Sequence, residues 1–223
     1  MNYRAPMRCI ITAGPTFEPL DDVRRLTNFS SGRLGSEFAL YLESRGHDVI
    51  LLLGQQATYH GGTTPSRVET FSTTANLRDR LRSLSETHVD AVFHAAAVSD
   101  FGFGKIWHRD PSGEMTEAKS GKISTRQGTL LAELVPTPKI IAGLRDWYPN
   151  SLLVGWKYEV EGGRESVLKM AGRQLADCRT DACVVNGPAY GKAFGLVTKD
   201  STLTPLADVA ALYAALESML RQH

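Results

Sequence analysis

With 223 residues, 42% of them hydrophobic, the chain is long enough to bury a sizeable core, and a single domain spanning 1–223 is the expectation. Twenty-five Lys and Arg against 24 Asp and Glu leave a net charge of +1, so the bulk charge calls for neither a nucleic-acid partner nor a membrane surface. No run reaches the roughly 18 apolar residues of a membrane span, the first eight residues lack the apolar stretch of a secretory leader, and Cys9, Cys178 and Cys183 form no Cys-x-x-Cys pair and read as free thiols of a reducing, cytoplasmic setting.

Residues 8–12 are a short apolar run ending at Gly14-Pro15, the pattern of a buried parallel strand. A long polar connection follows, through Asn28, Ser30 and Ser31 to Gly32 and Gly35. The helix it opens sets Leu34, Phe38 and Leu42 on one face and stops near Gly46. Residues 48–53 form a second buried strand, 58–66 a loop by composition, and 68–71 a third strand. Thr74 or Asn76 caps a helix whose buried stripe is Leu77, Leu81 and Leu84. Residues 90–98 are a fourth strand, very small at its end (Ala95, Ala96 and Ala97).

The rhythm then breaks. Residues 101–122 are long, polar and Gly-rich, and predict a flap or protruding hairpin. Residues 130–135 read as a strand and 138–147 as a helix with Pro138 near its first turn. Residues 152–158 are a strand, 165–178 a helix, and 182–185 a strand ending at Asn186-Gly187. Residues 194–198 and 201–205 look like a terminal hairpin. Residues 208–220 close the chain as a helix with Val209, Leu212, Leu216 and Met219 or Leu220 inside. Strands alternating with helices predict an α/β fold: a doubly wound, mostly parallel, Rossmann-like sheet covered on both faces. Ligands of such sheets sit at the strand C-terminal ends. Three of those ends carry notable chemistry: Gly14-Pro15-Thr16, residues 95–100, and Gly155-Trp156-Lys157.

A dinucleotide site is disfavoured. Gly-x-Gly-x-x-Gly is absent after the first strand, and the second strand ends Leu53-Gly54-Gln55 where an acidic residue would meet a ribose. No Tyr-x-x-x-Lys pair supports a Rossmann oxidoreductase. The six histidines show no zinc-ligand spacing. Ser30, Ser31, Gly32 and Gly35 fit a phosphate or carboxylate cradle at a helix start; an ordinary Ser cap with close glycine packing is the plain alternative. Asn28 offers a donor and an acceptor to a carbonyl or acyl phosphate, or is simply a turn residue. The small residues 95–97 let a base or ribose approach the backbone, and Asp100 could accept from either. Close packing and a turn cap would explain the same residues. Lys119 and Lys122 on the flap could close over a triphosphate, or be solvated loop lysines. Lys157 ends an otherwise apolar strand.

Together these residues resemble the phosphopantothenate–cysteine ligase (phosphopantothenoylcysteine synthetase) family. The matching pieces are Ile11-Thr-Ala-Gly-Pro-Thr16, Glu18-Pro-Leu-Asp21 with Val23-Arg24, Thr27-Asn-Phe-Ser-Ser-Gly-Arg-x-Gly35, Ala95-Ala-Ala-Val-Ser-Asp100, Lys122-Ile123, Leu134-Val-Pro-Thr-Pro-Lys-Ile-Ile141, Gly155-Trp-Lys-Tyr-Glu159 and Val185-Asn186. They follow the family's order over nearly the whole chain. The resemblance implies that 4′-phosphopantothenate and cysteine are joined through an acyl nucleotide, with CTP or ATP as co-substrate and Mg2+ accompanying the triphosphate. Asn28 would hold the activated acyl group and Lys122 would steady the α-phosphate. Gly14, Ser30, Ser31, Gly32 and Gly35 would line the phosphate end. His94, Ala95, Ala96 and Asp100 would contact the nucleotide, and Pro138, Lys139, Ile140, Ile141 and Trp156 would border base and ribose.

The chain departs from the pattern in two places. Lys122-Ile-Ser-Thr125 replaces a Lys-x-Lys-Lys run of bacterial bifunctional relatives. Gln174 and Cys178 align with two nucleotide-contacting lysines, part of whose charge Lys157 is expected to supply. The departures keep a second reading open, an inactive or repurposed nucleotide-binding protein on the same fold. Nothing resembles the family's flavin-binding decarboxylase domain, so FMN is not expected. A homodimer is, with the flap reaching the partner's site.

Overall fold

Alternation along the first strand decides the architecture. In β1 (Arg8–Ala13), Cys9, Ile11 and Ala13 join one hydrophobic cluster, while Ile10 joins another. Successive side chains of a strand point to opposite faces, and every one of these is buried, so the strand needs cover on both sides. The computed structural model describes residues 5–118, 121–124 and 128–223.

After β1 the chain forms a two-stranded antiparallel hairpin, β2 (Phe17–Pro19) with β3 (Arg25–Thr27), then α1 (Arg33–Ser44), β4 (Asp48–Gly54), β5 (Val68–Phe71), α2 (Thr74–Leu84) and β6 (Ala91–His94). A second excursion holds β7 (Phe101–Arg109), β8 (Met115–Glu117) and β9 (Thr129–Pro136). The fold then resumes with α3 (Ile140–Trp147), β10 (Leu152–Tyr158), α4 (Arg164–Cys178), β11 (Ala182–Asn186), β12 (Phe194–Thr198), β13 (Leu203–Leu206) and α5 (Val209–Gln222). The central sheet runs β13-β12-β11-β10-β6-β1-β4-β5. Its strands from β11 to β5 are parallel, and β12 and β13 return antiparallel. The chain builds outward from β1 to β4 and β5, then jumps back to β6 on the other side of β1. That reversal opens a crevice at the carboxyl ends of β1 and β6.

One face of the sheet is covered by α1 and α5, through Phe38, Leu42, Leu212 and Leu216. Phe38 meets Phe93 edge-on at 4.9 Å between ring centres. Burial of a side chain of this size contributes about 2–3 kcal/mol. The other face is covered by α2, α3 and α4, through Leu77, Leu81, Ile141, Leu144, Val167 and Ala171. No helix among the described residues is long and apolar enough to cross a membrane.

The mostly parallel α/β architecture agrees with the sequence expectation, and four local readings change. The fourth strand stops at His94 rather than running to 98, because Ala97 turns to bond with the loop after β1: its N–H meets the Gly14 carbonyl at 3.0 Å and its carbonyl takes the Thr16 N–H at 3.1 Å. The cap of α2 is Thr73, not Thr74 or Asn76. Its hydroxyl accepts the Asn76 N–H at 3.1 Å, and the Asn76 side chain in return accepts from the Ser72 N–H. Pro138 lies ahead of the α3 cap, Lys139, rather than in the first turn. The flap is larger than 101–122: β9 pairs along β7, so the strand expected at 130–135 completes a small antiparallel sheet, β8-β7-β9.

Candidate functional site

A cleft of ≈ 900 Å³ opens where the strand order reverses, and it is lined from four directions. The first is the start of α1. The backbone turns at Gly32 in the left-handed region (φ 79°), and no side chain caps the helix. Ser31 Oγ instead accepts the Arg33 N–H at 3.3 Å. The remaining first-turn N–H groups have no partner inside the helix and carry the positive end of its dipole. Gly35 lets this end settle on the sheet: a Cβ there would stand 2.6 Å from Ala13 Cβ.

The second wall is residues 95–100 after β6, and the third is the start of α3, again without a side-chain cap at Lys139. Two uncapped helix starts thus border one cleft, an arrangement suited to anions. The fourth wall is the end of β10. Trp156 packs with the α1-side cluster, and Lys157, next along the strand, turns toward the α4 side, its Nζ 3.3 Å from Glu159 Oε1.

Gly14, Asn28, Ser30, Ser31, Gly32, Gly35, His94, Ala95, Ala96, Asp100, Pro138, Lys139, Ile140, Ile141, Trp156 and Lys157 all line this cleft. Lys122 is not among the lining residues. It sits on the segment 121–124, which docks on the β2–β3 hairpin: Asp21 accepts the Ile123 N–H at 3.1 Å, Arg24 donates to the Ile123 carbonyl at 2.8 Å, and Asp22 N–H meets the Gly121 carbonyl at 2.9 Å. The Arg24 guanidinium, hydrogen-bonded to Asp21, holds that carboxyl well below the usual carboxylate range. The flap lysine Lys119 lies outside the described residues.

Sequence reasoning did not single out Phe29, Tyr158 or Val160, which also line the cleft. All three are strongly exposed, and Phe29 is fully so. An aromatic between Asn28 and Ser30 was the available signal. Asn186 lines it too, at the strand end the sequence marks with Asn-Gly.

The electrostatics favour an anionic ligand. Arg33, Lys139 and Lys157 line the cleft, with Asp100 the single carboxylate among the lining residues. His94 is neutral, because burial pushes its imidazole down to about 4. The thiols are inert: Cys9, Cys178 and Cys183 are buried, and burial raises each, Cys183 to about 12. Among the described residues no group of three or more His, Cys, Asp or Glu could hold a metal ion. The site offers positioning and backbone donors rather than a nucleophile.

A profile of the family described as the DNA/pantothenate metabolism flavoprotein C-terminal domain matches residues 5–212. The coenzyme A biosynthesis bifunctional protein CoaBC of Thermococcus kodakarensis is 33% identical over 192 residues, covering 84% of this chain and 42% of that protein. The chain therefore spans less than half the length of that relative. Among solved structures, the DNA/pantothenate metabolism flavoprotein from Streptococcus pneumoniae superposes with a TM-score of 0.83 at 23% identity, over 97% of this chain and 100% of that one. A Cab2 mutant in complex with phosphopantothenate-cysteine superposes at 0.72 and 20% identity, over 97% of this chain and 88% of that one. These two likenesses are of fold.

Proposed function

The chain belongs to the family of the DNA/pantothenate metabolism flavoprotein C-terminal domain, and from that premise we propose that it is a ligase joining 4′-phosphopantothenate to cysteine in coenzyme A biosynthesis. The single observation that carries the reading is the cleft itself, in which Asn28, two uncapped helix starts and three cationic side chains converge, with no activated nucleophile among the described residues that line it.

The chemistry follows from those parts. The substrate carboxylate attacks the α-phosphorus of a nucleoside triphosphate, the bond to the bridging β-oxygen breaks, and pyrophosphate leaves. The amine of cysteine then attacks the acyl carbon, the acyl–phosphate bond breaks, and a nucleoside monophosphate leaves with the electron pair while solvent takes the amine proton. Ser30 to Gly35 and the α1 N-terminus bind phosphate oxygens. Asn28 orients the acyl group, and Lys122, carried by the segment held on the β2–β3 hairpin, neutralises charge on the α-phosphate. Lys139 and Lys157 supply charge near α4, where Gln174 and Cys178 carry none. Mg2+ would ride on the phosphates with its water shell, with Asp100 the carboxylate within reach of the cleft.

We also propose a homodimer. Phe101 and Leu134 share a face of the small sheet and are 46% and 53% exposed, an apolar pair that a second copy would cover. Sedimentation equilibrium of the wild type and of Leu134→Lys tests this, with a dimer expected for the first and weakened association for the second.

A second reading, nucleotide binding without ligation, is favoured by the position of Lys122 outside the cleft lining. One assay separates the two: pyrophosphate release with phosphopantothenate, Mg2+ and CTP or ATP in turn, with and without cysteine. The ligase reading expects pyrophosphate with the acid alone and amide plus nucleoside monophosphate once cysteine is added. Nucleotide binding with no pyrophosphate from either triphosphate overturns it.

A further inference from the structure

A polar row crosses four neighbouring strands beneath the cleft. Thr12 of β1 pairs with His94 of β6, His94 with Gly155 of β10, and Gly155 with Cys183 of β11. Residues paired across a sheet point to the same face, here the face covered by α3 and α4. Gly155 leaves a gap in the row. A Cβ there would stand 2.3 Å from Gln174 Nε2 and 2.6 Å from Ile141 Cδ1. The Gln174 carboxamide fills this gap from α4 and so lies beside His94. Both side chains line the cleft, yet His94 is only 6% and Gln174 8% exposed.

Hydrogen bonds orient the pair. The Cys183 thiol donates to the Val184 carbonyl at 3.7 Å, which leaves its sulfur to accept from Gln174 Nε2 at 3.3 Å. The carboxamide oxygen is thereby turned away from Cys183. Thr12 Oγ1 accepts the Ala96 N–H at 3.1 Å and lies 2.9 Å from His94 Nδ1. Because Oγ1 already accepts from Ala96, the hydroxyl proton is assigned to the bond with Nδ1, an assignment that puts the ring's own proton on Nε2. Burial keeps that ring neutral. Among the described residues neither His94 Nε2 nor Gln174 Oε1 has a hydrogen-bond partner, and neither is among the fully enclosed polar atoms. One donor and one acceptor, side by side and held by their neighbours, remain open to the cleft.

We propose that His94 Nε2–H and Gln174 Oε1 read the base of the nucleotide, taking an unprotonated ring nitrogen and the exocyclic amino group next to it. The inference rests on the nucleotide-dependent ligase reading above and deepens it. Cytosine and adenine present that edge. Uracil and hypoxanthine present its reverse, an N–H beside a carbonyl, which sets donor against donor and acceptor against acceptor. A phosphate is a poor occupant, because the row carries no positive charge and would turn the Gln174 oxygen toward an anion.

The test is binding of CMP, UMP, AMP and IMP to the whole chain by calorimetry, run beside the pyrophosphate-release assay. CMP over UMP and AMP over IMP are the informative pairs, since each differs only at the edge in question. The better-bound amino base should exceed its keto counterpart on the order of 10- to 100-fold. Gln174→Met and His94→Phe, each checked for folding by its melting curve, should reduce that preference to about threefold or less. Gly155→Ala, whose new Cβ displaces the Gln174 amide without removing it, should do the same. Equal binding within both pairs by the wild type overturns the proposal without any variant, and so does a preference that survives both side-chain changes. Pyrophosphate release with no preference between bases sinks the base-reading role alone, whereas failure to bind any nucleotide sinks the ligase reading with it.

Discussion

The side-chain amide of Asn28 and the backbone N–H of Thr16 converge on the Ala97 carbonyl oxygen, at 3.2 Å and 3.1 Å. The polar connection after β1 and the small-residue turn after β6 are thus tied together at the point where Asn28 enters the cleft. The bond fixes which way the amide faces, leaving Oδ1 and one N–H for a ligand. Asn28 itself is exposed, so its side chain adds little to stability. Asn28→Ala should change unfolding free energy by less than about 0.5 kcal/mol and keep nucleotide binding, while amide formation is lost. Calorimetric binding together with product analysis checks this, and unchanged amide formation would remove Asn28 from the mechanism.

Gly35 offers a second, purely steric test. Its added Cβ would meet Ala13 Cβ at 2.6 Å, with the Thr12 carbonyl at 3.3 Å behind it. Neither backbone can yield cheaply, because β1 is paired on both sides. Gly35→Ala should push the start of α1 away from the sheet, costing about 1–3 kcal/mol and weakening nucleotide binding as the N–H groups move. Denaturant unfolding and nucleotide titration read the two effects separately. Full stability in this variant would show that the helix start has more slack than its contacts suggest.

Lys122 depends on a clamp rather than on the cleft wall. Asp21 and Arg24 grip Ile123 from both backbone directions, and Lys122 is the neighbour they carry. Lys122→Ala should slow pyrophosphate formation by roughly 10²–10³. Asp21→Asn keeps Lys122 but loosens its support, so kcat should fall by a smaller factor with nucleotide affinity nearly unchanged. Because hydrogen bonding holds Asp21 below the ordinary carboxylate range, the clamp should persist above that range and release only as the pH falls through the lowered value. Hydrogen exchange at Ile123 against pH follows it directly. An exchange rate indifferent to Asp21→Asn would rule the clamp out.

Much of this architecture was legible because burial on both faces leaves continuous apolar runs. Residues 8–12 and 48–53 announce parallel strands in that way. Strand ends mark Gly14, residues 95–100 and Trp156-Lys157, the polar connection supplies Asn28 and Ser30 to Gly35, and His94 and residues 138–141 were named only through the family resemblance. The β2–β3 hairpin was not legible. Phe17-Glu18-Pro19 and Arg25-Leu26-Thr27 are short and largely exposed, so no alternation marks them. The cap of α2 was expected at Thr74 or Asn76 and lies at Thr73, because the neighbouring hydroxyls suit the role alike and only backbone geometry selects among them. The position of Lys122 escaped for a different reason: it is set by Asp21 and Arg24, about a hundred residues earlier. The polar row from Thr12 to Gln174 likewise exists only once the strand register is known.

Glu217 predicts how the fold meets acid. This buried carboxylate on α5 receives hydrogen bonds from Arg221 at 2.7 Å, Tyr41 at 2.8 Å and Arg45 at 3.1 Å, joining α5 to the end of α1. Burial works against its charge, but these donors outweigh burial and bring it from 4.5 to about 2. A carboxylate lowered in the folded state contributes stability that is complete above about pH 4.5 and is lost as the pH falls toward 2. His47 lies 3.8 Å away, and burial lowers it from 6.5, so the folded state favours its neutral form. Protonation of unfolded His47 therefore begins to erode stability just below pH 6.5, before Glu217 contributes. Two limbs are expected in a plot of melting temperature against pH. His47→Gln should flatten the upper limb and leave the lower one. Glu217→Gln should flatten the lower limb and reduce stability at neutral pH by about 1–2 kcal/mol, the scale of weakened hydrogen bonds to partly exposed arginines. A single limb untouched by either change would mean that acid enters the fold elsewhere.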